Sequence, residues 1–411
     1  MCGCVVYSSM VLIKRIFLHL LILIIGFLII ANSFPIFAFA ASSDDLEVSG
    51  WIPYWNDSKG IKDAKKHIKE LDTVYPFSFV AREDGTIKDL AGMDSREWKN
   101  FTRYAHSKKV EVIPTVMWSD GGSIHANLSY KDLRSKHIDN IISMVEDGDF
   151  DGVDIDYEGK LSSTKDYYSQ FLKELKDELG DKVLTCTVEA RTPADSLYNV
   201  VPPVILYAND FTAIGKYCDR VEIMAYDQQR ADLRLDAARK GEPYMPVSDP
   251  EWVEKVIKLA LKEIPADKIV LGVPTYGHHY QVTVAPQWYS DYSRIGALNI
   301  PDILDIAKEY KVTPGRNKAG EMSFSYFPNS SVYRVLNALP APKGTTPGNE
   351  AAAKALLYAN ATGQSVKVNL AWYSDAGAVE DKIELAKKYD LAGVALFKID
   401  GEEDQNIWKL F

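Results

Sequence analysis

The stretch Phe150-Asp151-Gly152-Val153-Asp154-Ile155-Asp156-Tyr157-Glu158 sets three carboxyl groups at every second position of an otherwise apolar run. Successive side chains of a β-strand point to opposite faces, so Asp154, Asp156 and Glu158 project together while Val153, Ile155 and Tyr157 project the other way. At a rise of about 3.3 Å per residue, neighbouring carboxyls on that face begin only about 7 Å apart. Alternating acids ordinarily mark a solvated strand face. Here the apolar companions, and the amphipathic stretch 130–145 that precedes them, place the strand inside a fold. Carboxylates crowded in such a setting raise one another's pKa, and burial raises it further. At least one is then expected to hold a proton near neutral pH, as a general acid must.

Working outward, short β-like runs alternate with helical patterns through the rest of the chain, which argues for a parallel α/β architecture. The strand candidates are 47–53, 73–80, 110–117, 152–157, 183–190, 220–226, 269–275 and 392–398, with amphipathic helices such as 95–107, 131–146, 164–179, 250–262 and 377–389 between them. Eight strands, each followed by a helix, predict a (β/α)8 TIM barrel over residues 44–411, with its site at the C-terminal ends of the strands. Glu158 falls at such an end. The stretch 278–368 is far too long for a βα loop and carries its own strand and helix signals, so it reads as an α+β subdomain inserted after strand seven.

The 411 residues, 46% of them hydrophobic, suffice for a large core, and a net charge of −10 argues against a nucleic-acid partner. Lys14 and Arg15, an apolar run from 16 to 30 and Ala38-Phe39-Ala40 read as a signal peptide, residues 1–40, cleaved after Ala40. Met10 is an alternative start. Retention of this segment as a membrane anchor is the second reading, and the only membrane association expected. The protein is accordingly expected to be secreted or held at the cell surface or wall. Cys186 and Cys218, the two cysteines beyond the leader, lie in apolar strand-like surroundings and read as buried free thiols, with a disulfide as the alternative if their strands are neighbours. His278-His279 is not expected to bind metal, because adjacent strand residues point apart and no third ligand is evident.

Four segments together resemble one family. Asp151-Gly-Val-Asp154-Ile-Asp156-Tyr-Glu158 is similar to the D-G-x-D-x-D-x-E signature of glycoside hydrolase family 18, the chitinase-like barrels. Met224-Ala-Tyr226-Asp227 resembles that family's M-x-Y-D on strand six, 269–277 its strand-seven L-G-[IV]-P-x-Y-G, and Gly393-Val-Ala-Leu-Phe397 its strand-eight G-x-x-x-W. The texture of Trp51-Ile-Pro-Tyr54-Trp55 and Ala371-Trp372-Tyr373-Ser374-Asp375 is similar to the bacterial branch of spore-cortex and cell-wall N-acetylglucosaminidases.

The resemblance implies roles. Glu158 would protonate the glycosidic oxygen and later activate water, Asp156 would orient the substrate's 2-acetamido group, Asp154 would share a proton with Asp156, and Tyr226 would hold the acetamido oxygen in line. Met224 and Asp227 would shape the subsite, with Asp227 pairing sugar hydroxyls. Tyr54, Trp55, Trp118, Tyr276 and Trp372 are candidates for stacking on sugar faces, with barrel packing as the other reading, and Glu189 and Arg191 either line the groove or form a surface pair. Two departures bear on substrate. Phe397 stands where most of the family has Trp, and Ser119-Asp120-Gly121-Gly122 matches the family's S-x-G-G beyond the expected end of strand three. The function implied is retaining, substrate-assisted hydrolysis of a β-linked N-acetylglucosamine polysaccharide, peptidoglycan or chitin, without cofactor or metal. A non-catalytic, lectin-like glycan binder on the same barrel is the alternative.

Overall fold

The carboxylate-bearing strand Gly152–Tyr157 is buried along its whole length. Its apolar face, Val153, Ile155 and Tyr157, turns outward against the helix Lys165–Leu179, where Tyr157 stacks on Phe171 with ring centroids 5.6 Å apart. Its acidic face turns into a barrel. The computed structural model describes residues 46–328 and 333–411; the expected leader, 1–40, lies outside the described residues.

Eight parallel strands form the barrel: Glu47–Pro53, Thr73–Ala81, Thr115–Trp118, Gly152–Tyr157, Val183–Glu189, Arg220–Met224, Ile269–Pro274 and Gly393–Phe397. Strand one pairs with both strand two and strand eight, which closes the ring. Strand three is broken where the sequence suggested one run. Glu111–Val112 pairs with the start of strand two, Ile113-Pro114 interrupts, and the ladder resumes at Thr115. Proline has no N–H to offer a neighbouring strand, which accounts for the break. At the N-terminal end Arg220 joins Glu47 (2.9 Å) and Glu111 (2.8 Å), so ion pairs occupy the mouth opposite the acidic strand ends.

Helices such as Arg96–Ser107, Lys131–Asp147, Pro250–Ala260 and Ala376–Lys388 cover the barrel. Their starts follow from capping: Asp249 accepts from Glu251 N at 2.9 Å with Pro250 next in the chain, and Asp375 accepts from Ala378 N at 3.1 Å. Each buried Leu, Ile or Phe between strands and helices contributes about 1.5–3 kcal/mol.

Cys186 and Cys218 form a disulfide, with Cα atoms 6.1 Å apart, which corrects the reading as free thiols. Strands five and six are neighbours in the register Cys186 opposite Val221. Cys218 closes the helix Phe211–Tyr217 three residues before Val221, and so arrives beside the outward face of strand five.

After strand seven the chain builds a five-stranded antiparallel sheet in the spatial order Trp288–Leu298, Gly277–Ala285, Val366–Tyr373, Met322–Tyr326, Gly315–Arg316. The helices Ile300–Glu309 and Glu350–Thr362 complete the inserted subdomain. Its last strand runs on to Tyr373, beyond the expected limit at 368, because Gly277 through Val284 pair with it in unbroken register. The subdomain is tied to the barrel through Glu321, a buried carboxylate that accepts from Val247 N (2.9 Å), Ser248 N (3.0 Å) and Trp372 Nε1 (2.6 Å).

Candidate active site

The inward residues of strand four descend from rim to interior in the order Glu158, Asp156, Asp154. Asp154 is fully buried and its oxygens are occupied: Thr187 Oγ1 donates at 2.9 Å, Thr115 Oγ1 at 2.8 Å and Trp51 Nε1 at 3.4 Å. Burial nevertheless outweighs these hydrogen bonds and pushes its pKa up to about 6. Asp156 sits above it, and its Oδ1 has no hydrogen-bond partner. Burial, followed by the charges of Glu158 and Asp154, holds its pKa well above the ordinary carboxylate range. Glu158 reaches the solvent-exposed mouth, and its pKa is raised by partial burial and by the nearby carboxylates Glu189 and Asp227. Carboxyls on one low-dielectric face thus favour the protonated form.

These acids open into a cavity of about 360 Å³ whose wall includes Asp156, Glu158, Met224, Tyr226, Asp227, Tyr276 and Phe397, all sequence candidates. Phe397 forms the aromatic centre of the floor. Its ring centroid lies 5.5 Å from Tyr226, 5.7 Å from both Trp51 and Phe77, and 6.1 Å from Tyr276. Tyr226 has room beside strand seven because residue 272 is glycine: a Cβ there would lie 3.0 Å from Tyr226 Cε1 and 2.6 Å from Ile223 O. Asp227 caps the far side. Tyr276 Oη donates to its Oδ1 at 2.7 Å and His278 Nε2 lies 2.6 Å from the same atom. Burial favours the protonated form of Asp227, but the hydrogen bonds from His278 and Tyr276 prevail and lower its pKa.

Other candidates fall elsewhere. Trp118 is paired in register with Tyr157 and turns outward with it, packing edge-on to Tyr157 (5.5 Å) and to His137 (5.3 Å) in the helix layer. Trp372 belongs to the inserted sheet, where its indole N–H is bound to Glu321. Tyr54 follows strand one in a short 3-10 turn and stands in solvent beside Trp55, which meets Phe77 edge-on at 5.9 Å. Of the pair Glu189 and Arg191, only Glu189 lines the cavity; Arg191 lies 3.9 Å from the ring centres of Tyr207 and Phe211. Asp120 caps the helix Gly121–Ser129 by accepting from Gly122 N at 3.0 Å, so the Ser-x-Gly-Gly letters do lie past the end of strand three. His278 and His279 diverge, the first to Asp227 and the second to Tyr326 Oη at 2.8 Å.

Sequence reasoning did not assign Trp51, Phe77, Thr187, Thr192 or Trp252 to the wall, though all line it. Alternation along strand one carried a signal for Trp51. Trp252 comes from a helix and donates to Thr192 Oγ1 at 2.8 Å, a contact that no local pattern announces.

The profile of Glycosyl hydrolases family 18 matches residues 47–402. An uncharacterized glycosylase, YvbX, of Bacillus subtilis is 24% identical over 293 residues, 71% of this chain and 69% of the relative. A cortical fragment-lytic enzyme of Bacillus anthracis is 22% identical over 341 residues, 81% of this chain and 66% of the relative. The chain therefore spans about two thirds of the length of these two relatives. Among solved structures, the Bacillus cereus spore cortex-lytic enzyme SleL superposes with a TM-score of 0.63 at 20% identity, covering 89% of this chain and 73% of that one. A chitinase from Chromobacterium violaceum superposes with a TM-score of 0.64 at 19% identity, covering 89% and 98%. With a profile match over most of its length, and strand four and its acids set in the barrel as described, the chain belongs to glycosyl hydrolase family 18.

Proposed function

We propose that the protein hydrolyses a β-linked N-acetylglucosamine polymer, the glycan of a bacterial cell wall in preference to chitin, with retention of configuration. The observation that carries this reading is the graded carboxyl face of strand four: an unpartnered, protonation-prone Asp156 between a satisfied Asp154 and a Glu158 open to the cavity. Glu158, with its raised pKa, protonates the departing glycosidic oxygen and then takes a proton from the attacking water. Asp156 fills its free hydrogen-bonding capacity with the acetamido N–H of the sugar, turning the acetamido oxygen toward the anomeric carbon. Tyr226 steadies that oxygen. Phe397, backed by four other rings, offers the flat apolar surface on which a sugar face rests. The names of the cortex-lytic relatives favour a cell-wall glycan. Action outside the cytoplasm is supported by the disulfide, since such bonds persist in oxidising compartments.

The test is an assay of the folded chain on defined chitooligosaccharides and on purified peptidoglycan, with Glu158→Gln as the control. Release of products with retained anomeric configuration, lost in the variant, is expected. Equal activity of wild type and variant, or turnover of glycans bearing a 2-hydroxyl at a comparable rate, would refute the reading.

A further inference from the structure

Directly after Glu158 the chain turns back under itself. Gly159 takes a left-handed conformation (φ +63°), which glycine adopts without strain, and its N–H donates to Glu189 Oε1 at 3.1 Å. Lys160 then folds into the barrel wall. Its side chain is fully buried, its Nζ lies 4.7 Å from the centre of the Tyr168 ring, and it donates to the backbone oxygen of Tyr157. Glu189 Oε2 is 3.8 Å from that ammonium, and Asn209 Nδ2 donates to the same carboxylate oxygen at 2.7 Å. A buried lysine is rare because desolvating a charge is costly, and it persists where acids compensate it.

We propose that Lys160 and Glu189 are a positioning pair that fixes the turn carrying Glu158 and sets the pH range over which Glu158 keeps its proton. This rests on the reading of Glu158 as the acid. The groups facing Glu158 are Asp156 on its own strand, Lys160 on its own turn, Glu189 on strand five, and Tyr226 and Asp227 after strand six. Among these Lys160 supplies the positive charge. Its attraction favours the ionised form of Glu158, and Glu189 opposes it. Burial lowers the pKa of Lys160, while Glu189, Asp156 and Glu158 support its charged form.

Opposite charges acting on one acid give opposite signs on removal. In the profile of kcat/KM against pH, the alkaline limb reports loss of the acid's proton. Lys160→Met should move that limb up and Glu189→Gln should move it down, each by about one pH unit. Lys160→Arg should keep it near wild type, and the double variant K160M/E189Q should return toward wild type. Carboxyl carbon-13 NMR titration of Glu158, its signal assigned by absence in Glu158→Gln, reads the same shifts without turnover. Should the wild type cleave neither glycan, the proposed function fails and the titration alone decides the pair. Should Lys160→Met not fold, Glu189→Gln, at a half-buried residue at the end of strand five, still carries the test. Rates lowered with unmoved limbs and unmoved titrations, or both single variants shifting the same way, would overturn the proposal.

Discussion

Two buried acidic regions of this molecule began from the same physics and ended in different roles. Glu321, at the junction of barrel and inserted subdomain, is pushed up to about 7 by burial, and Asp154, in the barrel, to about 6. Around Glu321 three N–H donors converge, and the carboxylate clamps the segment 247–248 to the inserted sheet. On strand four the capacity is deliberately uneven: Asp154 is satisfied, Asp156 keeps an unpartnered oxygen, and Glu158 meets solvent. Unfilled capacity alone does not make a site, since Glu222 is buried with both oxygens unpartnered and does not reach the cavity wall. Asp156 combines an open valence with access to a cavity. Burial raises a carboxyl's pKa in either region, and what distinguishes a site from a clamp is whether a ligand can reach the unspent hydrogen bond.

The largest effect should come from the acid itself. Glu158→Gln is expected to lower kcat about 10³-fold or more, roughly 4 kcal/mol of barrier, while circular dichroism and thermal midpoint stay near wild type. A variant within tenfold of wild type would remove the difference between the strand-four acids and the Glu321 clamp. Next, Glu321→Ala should cost about 3–5 kcal/mol in denaturant unfolding, because it strands two backbone N–H groups and the Trp372 indole and removes the foremost of the carboxylates that compensate buried Lys382. Asp156→Asn, by contrast, should abolish turnover and leave stability equal or higher. If the two variants behaved alike in both assays, clamp and site would be one kind of region.

A third expectation follows from proton linkage at Asp154. Its pKa of about 6 in the folded chain exceeds the ordinary 3.8, so between those values the folded form retains a proton that the unfolded chain has released. Stability is therefore lost as pH rises from about 4 to about 6, by about 3 kcal/mol in total. The difference in unfolding free energy between wild type and Asp154→Asn, measured across that window, should shrink in the wild type's disfavour with rising pH. A flat difference would contradict the assigned environment. The smallest effect is expected at the floor: Phe397→Ala should reduce kcat/KM on a defined oligosaccharide about 30-fold, roughly 2 kcal/mol of transition-state stabilisation, through lost stacking area. Thermal stability measured in parallel separates that loss from loosening of the surrounding rings.

The barrel was legible because short strand runs alternate with amphipathic helical runs along the chain, and the acidic face because period-two alternation acts within the single strand Gly152–Tyr157, which is continuous and buried. The same rule, carried to strand three, would have turned Trp118 outward, since Thr115 and Met117 share a face with Asp154 and Asp156 in the parallel register. Trp372 misled for another reason. Its neighbours resemble a barrel rim, yet residues 366–373 are held by pairing with 277–284, a partnership remote in sequence. Lys160 gave no pattern at all, because its burial depends on a left-handed turn and on a carboxylate 29 residues away. What a single strand encodes was readable; what two distant segments negotiate was not.

The disulfide between Cys186 and Cys218 makes the intervening chain a covalent ring with a sequence separation of 32. That ring contains the most exposed apolar residues of the rim, Val200 at 85% and Leu206 at 75% of full exposure. Exposed loop tips of this sort are where proteases cut first. A single cut between residues 199 and 207 would open the ring and leave one molecule, its two pieces migrating together on a gel until a reductant is added. The bond thus acts as a suture across an exposed stretch of backbone, keeping strands five and six covalently joined after the chain between them has been severed.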